Sequence, residues 1–143
     1  MTGRRARESG RVSLFLAVAL TGVLAIISLA YDGAGQLRTL QRADNLAAEA
    51  ARSGGQMIDR RRAIEGGPAE IDEVAARRAV RNYLRAAGGV GEHEVSFPVV
   101  DGQKRIRVRV DITYRRDLLG LFGMTSTATV SGEATARALT GAP

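Results

Sequence analysis

Val12 to Tyr31 reads VSLFLAVALTGVLAIISLAY, a run without a charged residue, preceded by Arg4, Arg5, Arg7 and Arg11 and closed by Asp32. About 20 apolar residues at ~1.5 Å rise each match the ~30 Å hydrocarbon layer of a bilayer. The run predicts a membrane-spanning helix, and the rest of the chain then reads as what that helix carries. Arginines held back on one side during insertion predict a cytoplasmic N-terminus and an extracytoplasmic C-terminal part. The expected organisation is a basic cytoplasmic segment over residues 1–11, a transmembrane helix over 12–31 and an extracytoplasmic domain over 32–143. The alternative is a cleavable signal with a small-residue site at Ser28-Leu29-Ala30, released after Ala30. An apolar core of roughly 19 residues exceeds the ~7–15 usual for such signals, which favours retention.

Within the run, Ser13, Ala17, Thr21 and Ala25 recur every four residues and fall on one stripe of a helix. Small side chains at that spacing let two membrane helices approach closely, so this stripe is the candidate face for homo-oligomer formation or for a partner helix in the lipid bilayer.

Composition narrows the rest. Roughly 110 residues after the apolar run leave room for one modest core. The absence of cysteine excludes disulfides, thiolate metal sites and a cysteine nucleophile. The net charge is +6, from 20 arginines and Lys104 against 15 acids. Half of it sits before the apolar run, and the few aromatics do not interleave with the arginines, so no stacking platform for nucleic acid is present.

Asp32-Gly33-Ala34-Gly35 suggests a break, or a bend, between two helices. From Gln36 the helical pattern resumes to about Arg52. Leu37, Leu40, Ala43, Ala47, Ala50, Ala51 and Gly54 share a small, apolar face, of which Ala43, Ala47, Ala51 and Gly54 are the candidate packing residues outside the bilayer.

Here the chain resembles the TadE/TadG-like proteins of tight-adherence (Tad/Flp) pilus assembly. The resemblance rests on Arg7-Glu8-Ser9-Gly10 before the apolar run, Asp32-Gly33-Ala34-Gly35 after it, and the alanine-rich stretch Arg42 to Arg52, and it covers Arg7 to Gly55. It implies a non-enzymatic membrane component with a pilin-like plan, whose partners are other pilus assembly or pseudopilin subunits. Processed members carry glutamate at the fifth position after a glycine cleavage site. Cleavage after Gly10 would place Phe15 there, so an unprocessed, TadG-like or divergent chain is the expectation.

Asp59 to Gly67, with Arg60-Arg61-Arg62, reads as a polar connection. Pro68, Glu70, Asp72 and Glu73 followed by Arg77, Arg78, Arg81 and Arg85 have the charge order of a helix, with Ile71, Ala75, Ala79 and Tyr83 on its apolar face beside Val80, Leu84 and Ala87. Glu94 to Val100 reads as a strand confined to an edge or bulge by Pro98, and Asp101-Gly102 as a hairpin turn. Gln103 to Arg115 alternates, with Ile106, Val108, Val110, Ile112 and Tyr114 against Arg105, Arg107, Arg109, Asp111 and Thr113. The ladder Arg105, Arg107, Arg109 is either a docking face for acidic partners or polyanions, or a solvated face matched by Glu94 and Glu133.

Asp117 to Met124, DLLGLFGM, is an apolar link, a short helix or a loop, expected to cover the sheet; the other option is an exposed loop that makes a partner or membrane-surface contact. Thr125 to Leu139 closes a three-stranded antiparallel meander with Ala128, Val130, Ala134, Ala136 and Ala138 inward. The expected fold is α+β, a long N-terminal helix on a small sheet with one further helix. His93 lacks the companions of a metal site, and no nucleophile elbow or phosphate loop occurs, so neither catalysis nor a cofactor is expected.

Overall fold

The computed structural model describes residues 3–67 and 69–138. Pro68 and Leu139, named above as element ends, lie outside these residues. The fold is α+β: a long apolar N-terminal helix, two shorter helices and a small antiparallel sheet. Two compact units form, residues 3–35 with 115–127, and residues 36–114 with 128–138. The link between the last two strands therefore belongs with the membrane-candidate helix and not with the sheet it was expected to cover.

Helix α1 spans Gly3–Gly55, 53 residues. The break expected at Asp32-Gly33-Ala34-Gly35 does not occur. Two interior glycines cost about 1 kcal/mol each, which is small beside the good helix formers that flank them.

In the second unit, α1 buries Ala43, Ala47, Ala50 and Ala51 completely or nearly so. Their small side chains let the helix backbone approach the sheet. The closest approach is at Gly132, where any Cβ would fall onto the backbone of Ala43 and Asp44. At Gly54 the space is taken by the side chains of Ile106 and Val80, and Gly55 lies against the Arg137 carbonyl.

The polar connection contains a short helix, α2 (Arg60–Ile64), with Asp59 Oδ1 accepting from the Arg61 amide at 3.0 Å. Helix α3 (Glu73–Ala87) starts later than the charge pattern suggests. Asp72 is its N-cap, accepting from the Val74 and Ala75 amides at 3.0 Å each, and Gly88 ends it at φ 66°. Ile71 is not on its apolar face but bridges Ile58 in the preceding chain. The buried stripe is Ala76, Val80 and Leu84. Arg42 on α1 donates to the Gly88 carbonyl at 3.1 Å, tying the end of α3 to α1.

The sheet has four strands, not three, because Phe97-Pro98 divides the first arm into β1 (His93–Ser96) and β2 (Val99–Val100). Both pair antiparallel with β3 (Gln103–Arg115), and β4 (Thr127–Arg137) also pairs with β3. Pro98 donates nothing, yet its carbonyl accepts from the Arg105 amide at 2.8 Å, so the interrupted arm follows one edge of β3. The turn has positive φ at Asp101 (53°) and Gly102 (73°), the handedness that matches a twisted hairpin. Ile106, Val108, Val110 and Ile112 face the core with Val130, as the period-two pattern requires.

Gly132→Val should destabilise this unit by more than the ~1–3 kcal/mol of ordinary overpacking, because backbone has to move. Asp72→Ala, which removes only a cap, should cost ~1 kcal/mol. Thermal unfolding of the detergent-solubilised chain should place the Gly132→Val midpoint well below that of Asp72→Ala; equal midpoints would contradict the close approach.

Candidate functional site

Residues 11–31 of α1 carry the chemistry of the first unit. Among the described residues one helix is long and apolar enough to cross a membrane, with a mean hydropathy of 2.6 over its best window, of which 6% is buried. The core helix of a water-soluble fold hides its apolar side chains; here Leu14, Phe15, Leu16, Val18 and Ile26 are each at least 65% exposed. Ser13, Ala17 and Thr21 are exposed and Ala25 is half-buried, so the stripe is accessible along most of its length. Thr21 Oγ1 donates to the Ala17 carbonyl at 2.8 Å, which satisfies the hydroxyl's donor inside its own helix.

Two buried polar residues end the run. Ser28 donates to the Leu24 carbonyl at 2.7 Å, and Asp32, one turn on, is 1% exposed. The Asp32 carboxylate accepts three amides from the β3–β4 link: Asp117 at 3.1 Å, Leu118 at 3.1 Å and Leu119 at 2.6 Å. A buried carboxylate is tolerated only when such donors replace its water. The donors are free because they open a 3-10 turn, Leu119–Phe122, whose first amides have no partner within the turn.

This latch joins residues 85 to 87 positions apart, so no local pattern announces it. The available signal is an aspartate standing immediately after an uncharged run, where an unpaired charge is expensive, and an amide-rich Leu-Leu-Gly segment elsewhere to receive it. The link itself buries no residue of its 3-10 turn. Its expected role as a cover for the sheet is therefore corrected: the turn is tied to α1, and Leu121, Phe122 and Met124 are 80%, 43% and 49% exposed.

The packing residues proposed outside the bilayer, Ala43, Ala47, Ala51 and Gly54, are all buried within the second unit. They serve the fold of one chain and are not available to a partner.

The arginine ladder is matched from within. Arg105 meets Asp101 at 3.4 Å, Arg107 meets Glu133 at 3.4 Å, and Arg109 meets Asp111 at 3.5 Å and donates to Ser131 Oγ at 3.1 Å. Glu94 stands opposite Arg109 in register. Three cations thus face four carboxylates, Asp101, Glu133, Asp111 and Glu94, which removes the charge excess a polyanion-docking face needs.

A second charged group joins residues far apart in sequence. Lys104 Nζ meets Glu70 and Glu73 at 2.9 Å each, and Arg62 pairs with Glu70, linking α2, the start of α3 and β3. Arg77 likewise crosses from α3 to β1, donating to the Val95 carbonyl at 2.7 Å with its guanidinium 4.9 Å from the Phe97 ring. Such half-exposed pairs contribute about 1 kcal/mol or less each and mainly fix register. His93 is exposed at the start of β1, and among the described residues no group of three or more His, Asp or Glu side chains is arranged to hold a metal ion.

Comparison with known proteins returns no match to a family model, a curated protein or a solved structure.

In a membrane self-association reporter, Ala17→Leu with Thr21→Leu is expected to lower the signal several-fold. The outward change Leu16→Ala should leave it unaltered, and an undiminished signal from the double substitution would remove the stripe as a contact face.

Proposed function

We propose that this chain is a single-pass membrane protein acting as a non-enzymatic component of a Tad/Flp-type pilus assembly or secretion apparatus, pseudopilin-like or TadG-like. In this reading residues 12–31 lie in the cell membrane, the N-terminus is cytoplasmic and the α+β domain is extracytoplasmic. Its action is steric: helix packing in the bilayer through Ser13, Ala17, Thr21 and Ala25, and subunit contacts outside it.

The observation that carries the membrane part is the exposure of the apolar run on a helix that continues, without a break, into the core of a small α+β unit. Eleven Val, Leu, Ile and Phe side chains between Val12 and Leu29 are half to three-quarters exposed. At ~1.5–3 kcal/mol for each side chain fully removed from water, the unrealised transfer is on the order of 10–20 kcal/mol. That rivals the entire ~5–15 kcal/mol stability of a typical domain. The pilin-like plan and the Tad/Flp assignment draw on the ordered resemblance over Arg7 to Gly55 and on the same helix-into-sheet arrangement.

Release after Ala30 fits less well. It would discard Ser28, which is buried, and leave Asp32 as the second residue of a fraying end, although its carboxylate holds three amides of the link. The matched arginine ladder also withdraws the support for a secreted polyanion-binding protein.

Alkaline carbonate extraction of membranes, followed by intact-mass measurement, tests the assignment. A retained, unprocessed helix predicts that the chain stays with the bilayer and keeps the residues before Arg11 together with residues 11–31. Recovery in the wash as a chain starting at Tyr31 would overturn it, and a chain starting at Arg11 would restore the processed-pilin alternative.

A further inference from the structure

The 3-10 turn of the β3–β4 link presents apolar side chains at a defined height on α1. Asp32 is the first ionisable residue after the uncharged run Val12 to Tyr31. At ~1.5 Å per residue that run fills the hydrocarbon layer, so Asp32 marks its outer boundary. Its carboxylate grips the Asp117, Leu118 and Leu119 amides, and the turn they open is closed by Gly123 at φ 80°. The base of the link is closed separately, by Arg116, which donates to the Thr125 carbonyl at 3.2 Å and to its hydroxyl at 3.0 Å. The link is thus a built loop fastened at two points.

Leu121, at 80% exposure, Phe122 and Met124 project from it without a covering element. Tyr31, 58% exposed, lies next to the latch on α1 itself. Arg116, with Arg115 at the end of β3, stands beside Asp117 at the foot of the link. Apolar and aromatic side chains with a cation at the edge of the hydrocarbon layer are what the headgroup region of a bilayer accommodates.

We infer that the Leu118–Met124 segment is a second membrane contact, seated in the outer-leaflet interface of the bilayer that holds α1, with Asp32 as the latch that sets its depth. The inference rests on the membrane-spanning reading of α1. The occupant is lipid because the latch ties the turn to the point where the uncharged run ends.

Depth-dependent quenching tests it on the full chain, which has no native cysteine. Single cysteines at Leu121, Phe122 and Leu20 carry a fluorophore in mixed neutral and anionic phospholipid vesicles containing lipids nitroxide-labelled near the headgroup or deep in the acyl chain. Labels at Leu121 and Phe122 should be quenched about twofold or more better by the shallow nitroxide, as for groups seated ~5–10 Å into the interface. The label at Leu20 should show the reverse order. With Asp32→Ala, shallow quenching at Leu121 should be lost while Leu20 is unchanged.

If Leu20 is quenched by the deep nitroxide but Leu121 and Phe122 respond only to an aqueous quencher, the second contact is overturned and the anchor stands. If they respond to neither lipid nor aqueous quencher, protein covers them and the lipid assignment is overturned. If Leu20 itself is not quenched from the lipid, the membrane-spanning reading falls and the inference with it. Retained shallow quenching in Asp32→Ala would overturn the role given to the latch.

Discussion

The second unit depends on one close approach, the alanine face of α1 against the inner surface of β3 and β4. Ala43, Ala47, Ala50 and Ala51 are nearly inaccessible, and Gly132 has no space for a side chain against Ala43 and Asp44. Small residues give up area per side chain but let backbone meet backbone, where dispersion contacts are densest. The larger side chains Ile106, Val108 and Val110 then fill the space beside the helix, and Val80 on α3 closes against Ile106 at Gly54. A core of this kind has little tolerance for added volume at its glycines, which is why a single Cβ there is expected to matter more than the loss of a helix cap.

The same helix answers to a different constraint in its first half. Its large apolar side chains are half to three-quarters exposed, and in the membrane-spanning reading lipid supplies the missing contacts. Asp32 stands where the two regimes meet. A carboxylate there needs donors, and the link between β3 and β4 provides three amides. The interaction ties the helix, just before its glycine-rich stretch, to a segment from far along the chain.

Much of this was legible in the residues. Strict alternation from Gln103 to Arg115 and the Asp101-Gly102 pair specify the hairpin, because a period of two and a positive-φ turn leave few other arrangements. The small-residue face of α1 was readable from its spacing, and the alanine-rich last strand is its natural complement, as their packing in one core shows. What remained hidden was long-range. Ile71 fits a helical period but is taken by Ile58, and Lys104 meets Glu70 and Glu73 from a distant strand. The apolar link Asp117 to Met124 looks like core, since composition alone cannot tell a buried loop from one facing another solvent.

Continuity of α1 across Asp32-Gly33-Ala34-Gly35 is the central structural claim, and hydrogen–deuterium exchange of the chain in lipid nanodiscs tests it most directly. One helix, embedded in lipid on one side of Asp32 and packed on the sheet on the other, predicts slow exchange from Val12 through Gly54 with no gap at Asp32 to Gly35. Fast exchange confined to those four residues would mean two helices joined by a hinge, and fast exchange throughout Val12 to Tyr31 would mean that this half is not in the membrane.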